Sequence, residues 1–412
     1  MVSSIARVFF IERRVFMNRN IPLFYLQQVV FSLTQIVAFG TIFCTFMLES
    51  GISDTKISLC TSIFQIIQTA TMLLVSRLAE NKKIILKGVG ICCFSYALVM
   101  AAMLFLCINN NVPVNTSYVI LLTVGSVVSL FVGLYNVLCY KQPHLIMDIK
   151  NYGKIIGQVG VISGLLGIAV STAMSFFCEN YDYFSVMTFV CIFGIILAFV
   201  AGLIAFFFTP INSESVIKSE KSINIFRYKP FYQLFIPNLL RGFSTGIFNL
   251  IAVIGYHCEI LDSAGAVALV TASQIATLLS SQCFSFISQR NKNGILCLVS
   301  SIVCLVCFPA ITAGGSRTLF IAFYFIAYLF FNFINNAIPV MVALHIDYNC
   351  LGQFTAWRMG IYTLGTAIGG ACVPILLKWF GSFNTLLIAG ITMLVCGVGY
   401  YIFDKKATAE KI

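Results

Sequence analysis

The residues with chemistry to offer are amides, phenols, hydroxyls and one arginine, and they recur at helical spacing. Gln28, Ser32 and Gln35 stand at i, i+4 and i+7. Ser129, Asn136 and Tyr140 stand at i, i+7 and i+11. Asn238, Arg241, Thr245 and Asn249 follow at i, i+3, i+7 and i+11, and Tyr324, Tyr328, Asn332 and Asn335 at i, i+4, i+8 and i+11. On a helix of 3.6 residues per turn each set forms a single stripe. Carboxamides donate and accept at once, which suits the hydroxyls, carboxylates and amides of a polar solute. A tyrosine offers a ring face to stack on and a hydroxyl to bond. The same side chains also serve as hydrogen-bonded glue between apolar helices.

Arg241 lies about 15 Å into an apolar run at 1.5 Å per residue. A charge at that depth is costly and therefore usually serves binding or transport. It would attract an anionic group; otherwise it would bond to backbone carbonyls or extend toward water. Of the 14 Asp and Glu, none falls well inside an apolar run, and His144, His257 and His345 sit at run ends or in loops. A buried proton carrier is therefore lacking, as is the acid, base or metal cluster of a membrane-embedded hydrolase or acyltransferase. No catalytic residue, metal or cofactor is expected. Most of the 16 cysteines lie within apolar runs, where they read as small apolar side chains. Cys304 and Cys307 form a CxxC with no second pair to complete a zinc site. Cys107, Cys178 and Cys258 lie near run ends in no disulfide framework.

The elements that must position these groups follow from composition. Of 412 residues, 59% are hydrophobic and 9% charged, against roughly 45–50% and about 25% in soluble domains. That excludes a soluble enzyme, a disordered chain and a disulfide-stapled secreted domain. Twelve apolar runs of membrane-spanning length occur at 22–47, 55–77, 84–107, 118–140, 155–177, 184–208, 231–256, 264–287, 295–313, 318–345, 354–377 and 384–403. Lipid offers no partner for backbone groups, so runs of this length are helices. The fold class is an all-α membrane protein.

Lys and Arg divide 21 to 3 between the loops on the two sides, only Lys56, Arg317 and Lys378 lying on the poor side. This predicts cytoplasmic N- and C-termini and, together with the net charge of +11, marks membrane orientation rather than nucleic-acid binding. Arg7, Arg13, Arg14 and Arg19 precede the first run without a small-residue cleavage site, which reads as a juxtamembrane segment on anionic lipid rather than a signal peptide. The polar stretch 209–230 divides the chain into two six-helix bundles, 1–208 and 231–412. Ser76, Leu78 and Glu80 match Ser285, Ile287 and Gln289 at an offset of 209, and Asp148 and Gly153 match Asp347 and Gly352 at 199. Leu23-Phe24 match Leu234-Phe235 at the start of runs one and seven. Together these point to a parallel repeat.

Twelve helices, a central loop and paired loops after runs two and eight resemble the major facilitator superfamily. That family's loop signature, Gly-x-Leu-Ala-Asp-Arg-x-Gly-Arg-Lys, is similar to Ser76-Arg77-Leu78-Ala79-Glu80-Asn81-Lys82-Lys83, with Leu78 and Ala79 kept and Glu80 in the acidic place. Ser76 replaces the first glycine and the turn is shorter. The resemblance implies that Glu80 holds the cytoplasmic side shut, with a helix N-terminus or with Arg358 as partner; otherwise it is a solvated loop glutamate. It implies further that runs one, four, seven and ten, which carry the polar stripes, line a central cavity, and that runs two, five, eight and eleven form the interface between halves. Small residues recur on run five (Gly153, Gly157, Gly160, Gly164, Gly167), run eight (Ala268, Ala272, Ala276, Ser280) and run eleven (Gly365, Gly369), which lets helices approach closely. Run five lacks the proline of the Gly-Pro pair usual in the family's drug antiporters.

The expectation is an alternating-access transporter in the plasma membrane, acting as a monomer. It would carry a small polar organic solute, sugar-like or an organic acid. The candidate contacts are Arg241, Gln28, Gln35, Asn136, Asn238, Asn249, Tyr328, Asn332 and Asn335, with Glu80 and Arg358 as gate. Efflux of apolar compounds, which 39 phenylalanines would permit, and a solute sensor are the rivals. The polar stripes argue against the first. A sensor would be expected to carry a signalling domain, whereas only a short tail follows Asp404. Asn115-Thr116-Ser117 is a glycosylation sequon on a predicted outer loop.

Overall fold

Backbone groups in lipid must bond within their own segment, and the chain meets that demand with helices throughout. The structure, a computed structural model, describes residues 20–75, 82–109, 111–139, 142, 146, 152–209, 229–287, 292–346 and 348–409. Among these residues ten helices are long and apolar enough to cross a membrane, or eleven with a bent pair counted as one span. The last of the ten, Phe354–Ala409, has 56 residues, about 84 Å of helix at 1.5 Å per residue. That is far more than one crossing of a ~30 Å core. Gly381 (φ 72°, ψ 173°) breaks it, giving two spans and twelve in all.

Span one comprises Asn20–Ala38 and Thr41–Glu49. Spans two to six are Asp54–Val75, Lys82–Ile108, Val114–Leu138, Tyr152–Asn180 and Tyr183–Phe206. Span seven comprises Lys229–Asn249 and Ile251–His257, and spans eight to ten are Ser263–Ile287, Asn293–Ala313 and Arg317–His345. Spans eleven and twelve are 348–380 and 382–409. Large apolar side chains remain exposed on the outside of the bundle, among them Leu74, Phe189, Ile196 and Trp379. In water such a surface would aggregate; against acyl chains it is the expected face.

Each half is closed near the ends bearing the chain termini by one polar residue. Asn20, at the start of span one, donates from Nδ2 to the carbonyls of Ile146 (3.0 Å) and Thr209 (2.6 Å), and its Oδ1 accepts the Thr209 N–H. Asp404, near the end of span twelve, accepts the Gly294 N–H (2.9 Å) at the start of span nine and pairs with His345 Nε2 (2.8 Å) at the end of span ten. Both clasps satisfy helix-end groups that would otherwise be orphaned.

Between the halves run two antiparallel seams. Span two meets span eleven at Ser62 against Gly370, Thr69 against Thr363 (hydroxyls 2.6 Å apart) and Leu73 against Gly360. Span five meets span eight at Ser175 against the Ala264 carbonyl (3.1 Å), Ser171 against Thr271 (2.9 Å), Gly167 against Gln274 and Gly164 against Leu278. Two glycine sets differ from the sequence expectation. Gly365 and Gly369 pack onto the Leu239 and Phe243 carbonyls of span seven, inside their own half, because Gly242 and Gly246 of span seven reciprocate against Tyr362 and Thr366. Gly160 faces open space, and the described contacts of the span-five stripe with span eight run from Gly164 onward. Gly153 and Gly157 lie on the helix, but their surroundings are outside what is described.

Candidate functional site

Two helices break at the same place in the bundle. Span one stops at Ala38 and restarts at Thr41, with Gly40 between at φ 79° and ψ −140° and no side chain capping the new start. Only glycine adopts this backbone without strain. Span seven stops at Asn249 and restarts at Ile251 through Leu250 (φ −95°, ψ 19°), bending by 46°. These are the first spans of the two halves, so the breaks are counterparts in the repeat. Irregular backbone inside a membrane is tolerated where it lines a cavity, and a cavity of about 170 Å³ lies there.

Gln35, Gly40, Thr61, Gln65, Gln68, Asn249 and Thr366 supply its polar wall; Phe39, Phe43, Phe64 and Val132 are among its apolar lining. Gln35 Nε2 donates to the buried Tyr96 hydroxyl at 3.4 Å, which fixes the amide at the wall. Phe39 packs edge-on against Phe64 and Tyr96, with centroids 6.1 and 5.5 Å apart. Four carboxamides on three helices, beside aromatic faces, can donate to and accept from several hydroxyls of one solute.

Of the sequence-derived candidates, the structure brings Gln35 and Asn249 together at this cavity. Gln28, two turns earlier on span one, is half-buried, and its carbonyl accepts from Ser32 (2.7 Å). Asn136 is half-buried on span four and lies outside the cavity wall. Asn238 is wholly buried: its Nδ2 donates to the Leu234 carbonyl (2.7 Å) and its Oδ1 accepts the Tyr400 hydroxyl, joining span seven to span twelve. Asn332 donates to Thr277 (3.0 Å), joining span ten to span eight. Tyr328 belongs to an aromatic stack with Phe248, Tyr324 and Phe331. Asn335 accepts from Arg241 Nη2 at 2.6 Å, and the Arg241 guanidinium lies 4.4 Å from the Tyr362 ring centroid. Arg358 is buried near the start of span eleven, with Nη2 directed at Met359 Sδ (3.7 Å). Glu80 lies outside the described residues.

Sequence spacing missed Thr61, Gln65 and Gln68 on span two and Thr366 on span eleven. Span two comes inward because span four offers it no side chain at two turns. A Cβ at Gly125 would strike Phe64, and one at Gly133 would lie 2.7 Å from the Gln68 carbonyl oxygen. Those two glycines, eight residues apart on one face, were the available signal.

On the face opposite the termini, polar contacts bridge the halves above the cavity. Tyr256 of span seven donates to Glu49 of span one at 2.8 Å. His257 lies 3.4 Å from Asp54 of span two. Arg317 of span ten pairs with Glu179 of span five at 3.1 Å and with Asp262 at 3.3 Å. Among the described residues, no group of His, Cys, Asp and Glu is arranged to hold a metal ion.

Comparison with known proteins agrees with this architecture. The family model described as Major Facilitator Superfamily matches residues 24–349. No curated protein matches the sequence. Among solved structures, the crystal structure of a D-xylose-proton symporter superimposes with a TM-score of 0.69 at 14% identity, covering 92% of this chain and 96% of that one. At that identity the likeness concerns the fold.

Proposed function

The chain belongs to the major facilitator superfamily, and on that premise we propose that it moves a small hydroxylated organic solute by alternating access through the broken-helix cavity. Membership makes it an integral, multi-pass membrane transporter rather than an enzyme. The observation that carries the solute class is the amide wall. Gln35, Gln65, Gln68 and Asn249 converge where the first span of each half interrupts. Carboxamides beside aromatic faces suit a sugar-like solute, whose hydroxyls need donors and acceptors together. Apolar cargo would offer the Gln65, Gln68 and Asn249 amides no partner, which is unfavourable in a water-poor site.

In this reading the units 1–208 and 231–412, joined by 209–230, rock about the two seams as a monomer in the plasma membrane. The Lys and Arg bias supports cytoplasmic termini. Glu80 and Arg358 act on the cytoplasmic side as counterpart to the Arg317, Tyr256 and His257 bridges. The two states differ in which set of contacts exists, and the solute shifts their balance by binding one state better.

The test is counterflow and uptake of D-xylose and related neutral sugars and polyols into proteoliposomes, with Gln65→Leu, Gln68→Leu and Asn249→Leu variants. Each lost neutral hydrogen bond should weaken apparent affinity about three- to tenfold. A transported polyol whose apparent affinity is unchanged in all three variants would remove the cavity from the pathway.

A further inference from the structure

Arg241 has more hydrogen-bonding capacity than its surroundings use. It is 7% exposed. One nitrogen, Nη2, bonds to Asn335 Oδ1; Nε and Nη1 have no partner. Of the neighbouring polar groups, Asn238 Oδ1 accepts the Tyr400 hydroxyl, and Asn238 Nδ2, itself a donor, serves the Leu234 carbonyl. Among the described residues no carboxylate forms an ion pair with Arg241. The Tyr362 ring covers one face of the guanidinium plane, which fixes its orientation but takes none of the N–H groups. A buried, incompletely bonded cation is the costly arrangement that native interiors avoid unless something enters to complete it.

The position is separate from the amide cavity. Gly246 and Asn249 of the same helix line that cavity, whereas Arg241 does not. Eight residues of helix separate Arg241 from Asn249, about 12 Å of rise toward the face bearing the termini. No small solute spans both at once. We infer that Arg241 is a second, anion-binding station on the solute's path, and that it takes the carboxylate of a small hydroxy monocarboxylic acid. The inference rests on the transporter reading above and names the solute class within it. Asn335 accepts through one of the two Nη2 hydrogens; the other, with the unpartnered nitrogen beside it, Nε or Nη1, makes a planar fork edge that matches the two oxygens of one carboxylate. The hydroxyls of such an acid suit the amide cavity, and the carboxylate completes Arg241 as the solute moves between the stations.

The experiment measures binding to purified protein by thermal shift and calorimetry, and uptake into proteoliposomes, with D-gluconate, D-xylose and chloride as probes. Gluconate should stabilise the wild type more than xylose does. Arg241→Gln should weaken gluconate binding at least about thirtyfold, the loss expected when one partner of a buried hydrogen-bonded charge pair is removed. Xylose binding should stay within about twofold, since it depends on the amide cavity and makes no charged contact. Arg241→Lys should also lose most gluconate affinity, because an ammonium lacks the planar fork. Asn335→Leu provides a measurement that does not alter the arginine. It strips Nη2 of its partner, so the variant should melt lower and be rescued by gluconate by more degrees than the wild type gains. Gluconate binding that is equal in wild type and Arg241→Gln would overturn the station while leaving a xylose-binding transporter intact. Rescue of Asn335→Leu by chloride as fully as by gluconate would overturn the carboxylate assignment. Binding of neither organic probe by folded wild type would overturn the solute class of the proposed function as well.

Discussion

Replacing Gly40 with alanine isolates the helix break from every other feature of the cavity. A methyl group built at Gly40 meets no atom within 4 Å, so the substitution creates no clash. Its cost is conformational: φ 79° with ψ −140° lies where an L-residue is strained, by about 1–3 kcal/mol. Gly160 is the internal control, since it too has nothing within 4 Å of its added Cβ but stands in regular helix. There alanine should stabilise by up to about 1 kcal/mol. The two variants, each adding one methyl group, should therefore differ by about 1–4 kcal/mol, with Gly40→Ala the less stable. Unfolding of both proteins in the same mixed micelles, read by tryptophan-independent far-UV circular dichroism, measures the gap. Span one has one escape, which is to continue as unbroken helix through residue 40. That would relieve the strain, but it would remove the start of the half-helix Thr41–Glu49 from the cavity wall, so solute binding would fall instead of stability. A Gly40→Ala protein that matches Gly160→Ala in both stability and solute affinity would refute the claim that the break is built into the site.

Two further outcomes follow from the packing. Gly242→Ala should destabilise strongly or prevent folding, because its Cβ would collide with the Tyr362 carbonyl and lie 2.9 Å from the Thr366 nitrogen, both rigid backbone; near-wild-type melting would show that spans seven and eleven are not so closely joined. Arg317→Ala should open the face opposite the termini only modestly, since its partners are largely exposed and such pairs contribute about 1 kcal/mol at most. Cysteine labelling at that face should rise by no more than about fivefold on that energy, and a larger rise would mean the bridges act as a cooperative gate.

The span count was legible because apolar length is a coarse and redundant signal. Boundaries 55–77, 84–107 and 184–208 fall within a few residues of the helices Asp54–Val75, Lys82–Ile108 and Tyr183–Phe206. The breaks were harder to see. Gly40 sits inside an otherwise apolar run, and one glycine there reads as tolerated helix as easily as a break. The break at Leu250 carries no sequence mark, because φ −95° and ψ 19° are open to any residue. Its cause is tertiary: below it, span seven is held against span eleven through Gly242 and Gly246; above it, Tyr256 is held by Glu49 across the halves. The helix cannot serve both contacts while straight.

The stripe Asn238, Arg241, Thr245 and Asn249 shows why spacing located the helix face but not the site. All four share one side of span seven, yet they meet different neighbours as the helix rises. Asn238 is consumed by Tyr400 in the interior of its half. Thr245 returns its hydroxyl to the Arg241 carbonyl (2.8 Å). Asn249 reaches the cavity. Periodicity specifies an angle around the helix axis and is silent about what stands opposite at each depth. The missing information lay in other helices. Gly125 and Gly133 of span four admit span two and bring Gln65 and Gln68 to the wall. A polar residue on the right face becomes a binding group only where a neighbouring helix leaves it unpartnered. For that reason the proposed anion station rests on the open nitrogens of Arg241 and not on its depth in the membrane.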